Sequence, residues 1–173
     1  SSDVCSSDLL LMRFANEFEE ATVPDPYYGG PEGFGKVLDY IEIAKKDGAT
    51  LLLGGSPGKA PGCEKGWFVE PTIFGDVKNT MRIAQEEVFG PVLSIIKFKD
   101  EEDAVRIAND IRFGLAAAAW TKDIGRAIRM SEKLKAGTIW INTYRAISYM
   151  APFGGYKDSG LGRENGQDAI KEF

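Results

Sequence analysis

The sequence predicts an α/β fold, in which helices pack on the faces of a β-sheet. Short apolar runs typical of buried strands alternate with longer amphipathic segments typical of helices. Glycines stand just after several of the amphipathic segments, where they commonly end helices. The 173 residues, 43% hydrophobic and 27% charged, suit one ordinary globular domain.

The first third of the chain predicts two helices and a strand. Apolar residues recur at helical spacing over residues 10–20 and again over residues 35–46, and Gly48 ends the second helix. The prolines and glycines of residues 23–31 predict a loop between these helices. A short apolar strand is then predicted over residues 50–53.

The middle of the chain predicts extended segments and a capped helix. Residues 67–74 are β-prone, although Pro71 favours an edge strand or a bulge there. The apolar run over residues 92–98 predicts a buried strand. Asp100 can cap the next helix, with Asp103 at the capping-box position.

The last third continues the alternation of strands and helices. Strands are predicted over residues 115–120 and 138–142, with a helix over residues 123–135 between them. A glycine-rich loop is predicted over residues 151–162, and a final helix over residues 164–173.

Composition excludes several classes of function. The chain has no histidine, so it supplies neither Ser-His-Asp or Cys-His catalysis nor a histidine metal site, and no metal site is predicted. Cys5 and Cys63 lack CxxC spacing, which favours a reducing, cytoplasmic setting. The net charge of -5 disfavours nucleic-acid binding. No apolar run approaches the roughly 18 residues that cross a bilayer.

Residues 1–9 differ in character from the rest of the chain. They begin with serine and lack the basic and apolar regions of a signal peptide. They resemble one translated frame of a sequencing-library adapter. They are therefore predicted to be a non-native assembly scar, and Cys5 is assigned no role.

Residues 85–91 combine two adjacent carboxylates, Glu86 and Glu87, with Phe89 and a Gly-Pro turn before an apolar run. Loops at strand ends are common ligand-binding positions in α/β proteins. The residues alone leave two interpretations open, a solvated acidic turn and a binding loop. Glycines 154, 155, 160 and 162 leave a similar choice between a phosphate cradle and a turn-rich connection.

Two motif-like stretches are rejected. Residues 54–58 fit the letters of a GxSxG nucleophile elbow, but a proline follows the serine and the chain has no histidine partner. Residues 30–36 resemble a P-loop, but Val37 stands where a Mg²⁺-binding Ser or Thr is required.

An ordered set of segments resembles the NAD(P)-dependent aldehyde dehydrogenase superfamily. The resemblance covers nearly everything from residue 10 to residue 173. The matching segments are residues 66–72 (GWFVEPT), 85–92 (QEEVFGPV), 113–115 (FGL), 137–142 (GTIWIN) and 152–164 (PFGGYKDSGLGRE).

The resemblance implies that residues 10–173 are the C-terminal part of a three-layer α/β/α catalytic domain. The nucleotide-binding domain and the oligomerisation strand of the family have no counterpart in the chain, so the implied fold is incomplete. Family members form homo-oligomers, and the resemblance implies a homodimer or homotetramer for the intact protein.

The resemblance also implies roles for particular residues. Glu87 corresponds to the glutamate that accepts hydrogen bonds from the nicotinamide-ribose hydroxyls, and Phe89 to the aromatic residue beside the nicotinamide ring. Phe153 corresponds to an aromatic residue of the aldehyde tunnel, and Ile147 and Tyr149 lie in the substrate-gating loop. Glu86 is predicted to be a solvated neighbour.

The implied activity is oxidation of a small aldehyde to a carboxylate, with NAD or NADP, through a cysteine thioester. No residue matches the family's nucleophilic cysteine, in its Gly-Gln-x-Cys context, or its general-base glutamate, so no catalytic residue is predicted here. Cys63 lies in a loop-like context and is predicted to be structural. The chain alone is expected to be inactive. Two alternatives stay open: a catalytically dead interaction module, and a CoA-acylating or phosphorylating semialdehyde dehydrogenase relative.

Overall fold

The computed structural model describes residues 10–13, 30–59, 65–167 and 169–170. These residues form two compact units. The central unit comprises the described residues of Ala15–Lys97, and the terminal unit comprises those of Ser1–Phe14 and Phe98–Phe173.

The central unit contains a three-stranded sheet with the strand order β2-β3-β4. Strand β2 pairs antiparallel with β3, and β3 pairs parallel with β4. The elements of this unit are α1 (Pro31–Lys46), β2 (Thr50–Leu53), β3 (Thr72–Gly75), α2 (Arg82–Gln85) and β4 (Val92–Ser94).

Helix α1 supplies one side of the core of the central unit. Its buried residues Val37, Ile41 and Ala44 recur at spacings of four and three, which places them on one face of the helix. They belong to one apolar cluster with Phe74 of β3 and Val88, both almost fully buried. Burial of these side chains therefore fixes α1 beside the segment that leads into β4.

The terminal unit contains a second three-stranded sheet, with the order β1-β5-β6. Strand β1 runs antiparallel to β5, and β5 runs parallel to β6. The elements of this unit are β1 (Leu10–Arg13), α3 (Glu101–Asn109), β5 (Ala116–Trp120), α4 (Ile124–Lys133) and β6 (Thr138–Ile141).

Small side chains characterise the core of the terminal unit. Ala117 and Ala119 of β5 are buried with Ala104 of α3, Met130 of α4 and Leu134. Alanines occupy four consecutive positions of β5. Short side chains let the backbones of neighbouring elements approach closely, so the Ala-rich run forms a central strand, as its sequence predicts.

The prediction of a helix over residues 10–20 is wrong for its first part. Leu10–Arg13 is a strand whose residues pair with Trp120–Ala117 of β5. Pairing with an edge of the sheet overrides the helical spacing of the apolar residues. Residues 14–20 lie outside the described part of the chain, as do Cys5, Cys63 and the predicted assembly scar.

The strand predicted over residues 92–98 ends early, at Ser94. The backbone N–H of Ile95 still donates to Phe74 O at 2.8 Å, but beyond that point β3 has turned away through Asp76, whose φ is +51°. Ile95 O also accepts from Val77 N at 3.3 Å beyond this turn, so the pairing is interrupted at Asp76 and residues 96–98 form no regular strand. Helix α1 also begins earlier than predicted, at Pro31, because proline suits the first turn of a helix.

The final helix predicted over residues 164–173 is wrong over residues 164–167. Glu164 exchanges two backbone hydrogen bonds of 2.7 Å with Phe153, and Gly166 has a φ of +64°. A bridge followed by a turn stands where a helix was predicted. The extended segment predicted over residues 67–74 is a strand only over Thr72–Gly75, with an isolated bridge at Val69. The other predicted strands and helices are confirmed over the described residues, with ends shifted by a few positions.

The predicted cap of helix α3 is confirmed. The side chain of Asp100 accepts from Asp103 N at 2.9 Å, and the side chain of Asp103 accepts from Lys99 N at 3.1 Å. This reciprocal arrangement satisfies two backbone donors at the start of the helix.

Glu101 links α3 to α4. It accepts hydrogen bonds from Arg129 Nε at 2.6 Å and from Arg126 Nε at 3.3 Å. Arg129 first, then Arg126, lowers the pKa of Glu101 from 4.5 to about 2. The ion pairs therefore persist through the whole neutral and mildly acidic range.

This lowered pKa predicts a pH-dependent loss of stability. Folding favours the ionised carboxylate, so its contribution is complete above pH 4.5 and is lost as the pH falls towards 2. Solvent around Arg129 screens the pair, and we expect the loss that Glu101 causes to be about 1–2 kcal/mol. Denaturant titrations between pH 6 and pH 2 should show that the free energy of unfolding falls less steeply in Glu101→Gln than in the original chain. Glu102→Gln, at an exposed neighbour, should follow the original profile.

No helix among the described residues is long and apolar enough to cross a membrane.

Candidate functional site

The central unit presents Glu87 and Phe89 from one short loop. This loop, residues 86–90, connects α2 to β4. Glu87 is exposed and Phe89 is 49% exposed, whereas Val88 between them is only 1% exposed. The buried valine anchors the loop in the core while its two neighbours extend towards solvent. The loop therefore places a carboxylate and an aromatic ring together at the surface.

Phe89 has a φ of +57°, in the left-handed region. Residues with a side chain rarely adopt this conformation, and it costs on the order of 1–3 kcal/mol. Such conformations cluster at ligand-binding and catalytic sites, where the surrounding structure holds them in place. Five other non-glycine residues of the described part of the chain also have a positive φ, so the backbone at Phe89 supports a binding site only together with the sequence motif.

Glu86 is an anchored residue, although its side chain is also 41% exposed, which agrees with the prediction of a solvated neighbour. Its carboxylate accepts from Tyr40 Oη at 2.7 Å, from Arg82 Nε at 2.9 Å and from Arg82 Nη2 at 2.7 Å. The Arg82 guanidinium, followed by the Tyr40 hydroxyl, lowers the pKa of Glu86 to about 2. The two adjacent glutamates therefore differ: one is bound to its own chain and the other is exposed.

The far end of the loop also packs tightly. A Cβ added at Gly90 would lie 2.5 Å from Val37 Cγ2, so glycine is required for the loop to approach α1. After the loop, the Pro91 carbonyl accepts from Thr72 N at 2.8 Å, which joins the turn to the start of β3. Every second residue of the loop is thus held by the rest of the unit, namely Glu86, Val88 and Gly90. The residues between them, Glu87 and Phe89, are the exposed ones.

The terminal unit contains the three residues predicted to line the aldehyde tunnel. Ile147 and Tyr149 are exposed, at 55% and 83%, in the segment that follows β6. Phe153 is half-buried, and its backbone pairs with Glu164. The structure brings Ile147 and Tyr149 into one exposed segment, whereas Phe153 stands at the edge of the glycine-rich loop.

Trp140 anchors the segment that carries Ile147 and Tyr149. Its indole Nε1 donates to Ala146 O at 3.0 Å, and its ring meets Tyr144 edge-on, with centroids 5.5 Å apart. The sequence pattern around the buried Trp140 did not indicate this anchoring role. A buried indole N–H needs a hydrogen-bond partner, and that requirement was the available signal.

Two cationic side chains hold the glycine-rich loop over residues 151–162: Arg163 binds the backbone of the loop, and Lys157 ties the loop to the end of α3 and to the segment after it. Arg163 Nη1 donates to Gly155 O at 2.7 Å, while Lys157 Nζ donates to Asn109 O at 2.8 Å and to Ile111 O at 2.9 Å. A Cβ added at Gly137 would collide with the Gly154 carbonyl oxygen. These contacts favour the structural interpretation of the glycines over a phosphate cradle.

The predicted site residues fall in both units. Glu87 and Phe89 belong to the central unit, and Ile147, Tyr149 and Phe153 belong to the terminal unit. Among the residues that the structure describes, no group of three or more Cys, Asp or Glu side chains could hold a metal ion.

Comparison with known proteins identifies the family. The model of the aldehyde dehydrogenase family matches residues 11–173, nearly the whole chain. The chain belongs to this family. The resemblance inferred from the ordered motifs is thereby confirmed.

Among curated relatives, a betaine aldehyde dehydrogenase of Brucella melitensis biotype 2 is 48% identical over 162 residues, which cover 94% of this chain and 33% of that protein. An aldehyde dehydrogenase of Emericella nidulans is 48% identical over 174 residues, covering 96% of this chain and 34% of that protein. The chain spans about a third of the length of these relatives.

Solved structures give the same result for the fold. An indole-3-acetaldehyde dehydrogenase of P. syringae in complex with NAD+ and IAA superposes with a TM-score of 0.79 and 45% identity, covering 83% of this chain and 28% of that one. A betaine aldehyde dehydrogenase of Staphylococcus aureus in complex with NAD+ superposes with a TM-score of 0.80 and 44% identity. The match covers 83% of this chain and 29% of that one. The α/β architecture is thus part of the aldehyde dehydrogenase fold, and the predicted fold class is confirmed.

Proposed function

We propose that this member of the aldehyde dehydrogenase family takes part in NAD(P)-dependent oxidation of an aldehyde to a carboxylate. It contributes residues that position the nicotinamide half of the cofactor and that line the path of the aldehyde. The observation that carries the proposal is the anchored 86–90 loop, which exposes Glu87 and Phe89 and holds Phe89 in a left-handed conformation. NAD+ complexes among its structural neighbours support the same assignment.

The side chains of the loop fit a nicotinamide riboside. An exposed carboxylate at Glu87 offers two oxygens, which can accept hydrogen bonds from two adjacent ribose hydroxyls. The exposed ring of Phe89 offers an apolar face to a flat aromatic ring. Neither role depends on the adenosine 2′ position, so NAD and NADP fit equally well.

The chain's own contribution is orientation of the reactants. When bound, the nicotinamide supplies the hydride acceptor. Glu87 fixes its ribose and Phe89 restricts its ring, which reduces the motion that must be frozen before reaction. Phe153, Ile147 and Tyr149 would contact the aldehyde in the terminal unit.

The proposed reaction also needs a nucleophilic cysteine and a general-base glutamate, and no motif of this chain matches either. We therefore propose that the 173-residue chain does not oxidise aldehydes alone. A small aldehyde substrate, a homodimer or homotetramer, and a cytoplasmic location stay predictions.

A chimera tests the proposed function. Residues 11–173 would replace the matching third of the Brucella melitensis betaine aldehyde dehydrogenase, whose 48% identity favours correct packing. We expect the chimera to form NADH with betaine aldehyde, and the isolated chain to form none. NADH formation by the isolated chain would contradict the proposed division of roles. A folded chimera that binds aldehyde but leaves NAD+ unreduced would contradict the proposed function.

A further inference from the structure

A cluster of three polar side chains lies immediately before Glu87. Glu86 accepts from the Tyr40 hydroxyl and from two nitrogens of Arg82, and the Arg82 guanidinium lies 5.6 Å from the centroid of the Tyr40 ring. We call this the Tyr40–Arg82–Glu86 cluster. It joins three parts of the central unit: α1, the first residue of α2, and the first residue of the 86–90 loop.

Global stability does not account for this arrangement. The side chains of Arg82 and Glu86 are 54% and 41% exposed, and ion pairs at such exposure add little to folding free energy. Helix α2 has only four residues, too few to hold its own end in place. What the cluster does fix is the backbone at Glu86, the residue from which the loop departs.

Both ends of the loop rest on the same helix. Tyr40 holds Glu86, and Val37 packs against Gly90. Residues three apart are neighbours on one face of a helix, so Val37 and Tyr40 form a single platform. Between these two contacts Val88 is buried, and Phe89 keeps a backbone conformation that the surroundings must enforce.

We propose that the Tyr40–Arg82–Glu86 cluster is a positioning device for the nicotinamide-binding loop. By tying Glu86 to α1, it sets the direction in which Glu87 and Phe89 leave the core. The inference rests on the proposed function, in which those two residues contact the nicotinamide half of the cofactor. Tyr40, Arg82 and Glu86 act through the loop and touch no cofactor themselves.

The chemistry of the cluster suits a permanent tether. The adjacent Arg82 and Tyr40 keep the pKa of Glu86 at about 2, so the carboxylate stays ionised and accepting at every physiological pH. Hydrogen bonds to a charged acceptor are stronger than those between neutral groups. Arg82 binds through two parallel N–H groups, which restrict the direction of the carboxylate as well as its distance.

Tyr40→Phe tests the proposal with the least disturbance, because it removes the hydroxyl and keeps the ring. In the full 173-residue chain, amide hydrogen exchange should rise at least about threefold in peptides spanning residues 86–90 and stay unchanged elsewhere. A saturation-transfer titration with NAD+ should show an apparent Kd raised about two- to tenfold, since fewer molecules hold the binding-competent loop. Arg82→Lys, which keeps the charge but loses the paired donors, should give a smaller change in the same direction.

Lys97→Met is the matched control. It breaks the exposed ion pair between Lys97 Nζ and Asp76 Oδ1, which are 2.9 Å apart in the same unit. These residues follow the C-terminal ends of β4 and β3, whereas the 86–90 loop precedes the N-terminal end of β4. We expect it to change neither loop exchange nor NAD+ affinity. If Tyr40→Phe raises exchange throughout the unit, the substitution has loosened the whole unit, and Arg82→Lys then tests the proposal because it retains the hydrogen bond from Tyr40 to Glu86.

Two results would overturn the positioning role. One is unchanged exchange over residues 86–90 in both variants, and the other is faster exchange with an unchanged Kd for NAD+. Glu87→Gln separates this inference from the proposed function. If Glu87→Gln leaves NAD+ affinity unchanged, the nicotinamide assignment fails, whereas the exchange data still report whether the cluster holds the loop.

Discussion

Glu87→Gln in the Brucella chimera is expected to raise the KM for NAD+ by about 10- to 100-fold, because hydrogen bonds to a charged acceptor contribute roughly 1.5–3 kcal/mol each. The amide keeps one oxygen acceptor but loses the charge and the second acceptor. Because the change affects cofactor binding, the KM for betaine aldehyde should move by less than about twofold. Steady-state kinetics with each substrate varied in turn measures both values.

Glu70→Gln is the control for this prediction. Glu70 is also exposed and belongs to the same unit, so its substitution removes an equivalent surface charge away from the 86–90 loop. Its KM values should match those of the unaltered chimera. Equal KM values for NAD+ in both variants would show that Glu87 makes no contact with the nicotinamide ribose.

Gly137→Ala is expected to be the most destabilising single substitution proposed here, at about 2–4 kcal/mol. An added Cβ would meet the carbonyl oxygen of Gly154, which is rigid backbone and cannot rotate away as a side chain could. Gly137 N also donates to Gly114 O at 3.0 Å, so a shift of Gly137 would weaken a second contact. Denaturant unfolding of the 173-residue chain, followed by near-ultraviolet circular dichroism, measures the loss.

Gly35→Ala is the control, and it is expected to raise stability where Gly137→Ala lowers it. Gly35 lies within α1, and nothing stands within 4 Å of an added Cβ. Alanine favours helix over glycine by roughly 0.5–1 kcal/mol, so the variant should gain stability. If Gly137→Ala were as stable as the original chain, this would contradict the close approach of Gly137 to the Gly154 carbonyl.

Strands and helices of this chain were predictable where the local pattern and the tertiary contacts agree. The alanines of β5 and the Asp100 cap of α3 are examples, because short-range chemistry decides both. Leu10–Arg13 is the instructive failure, since a four-residue strand is chosen by its partner in the sheet, which lies more than 100 residues away. Local spacing contains no information about that partner.

The candidate site shows the same limit. The motif around Glu87 and Phe89 was visible in the sequence, and the exposure of both residues agrees with the role proposed for them. The contact that anchors the loop was not visible, because Tyr40 and Glu86 are 46 residues apart. The distinction between two adjacent glutamates, one anchored and one exposed, depends entirely on that long-range contact.

A crystal structure of the Brucella chimera with NAD+ would test the central claim most directly. The proposed function predicts the Glu87 carboxylate at about 2.6–3.0 Å from both nicotinamide-ribose hydroxyls, with the ring of Phe89 against the nicotinamide. Bound NAD+ whose ribose hydroxyls are held by other residues, with Glu87 left in solvent, would contradict it.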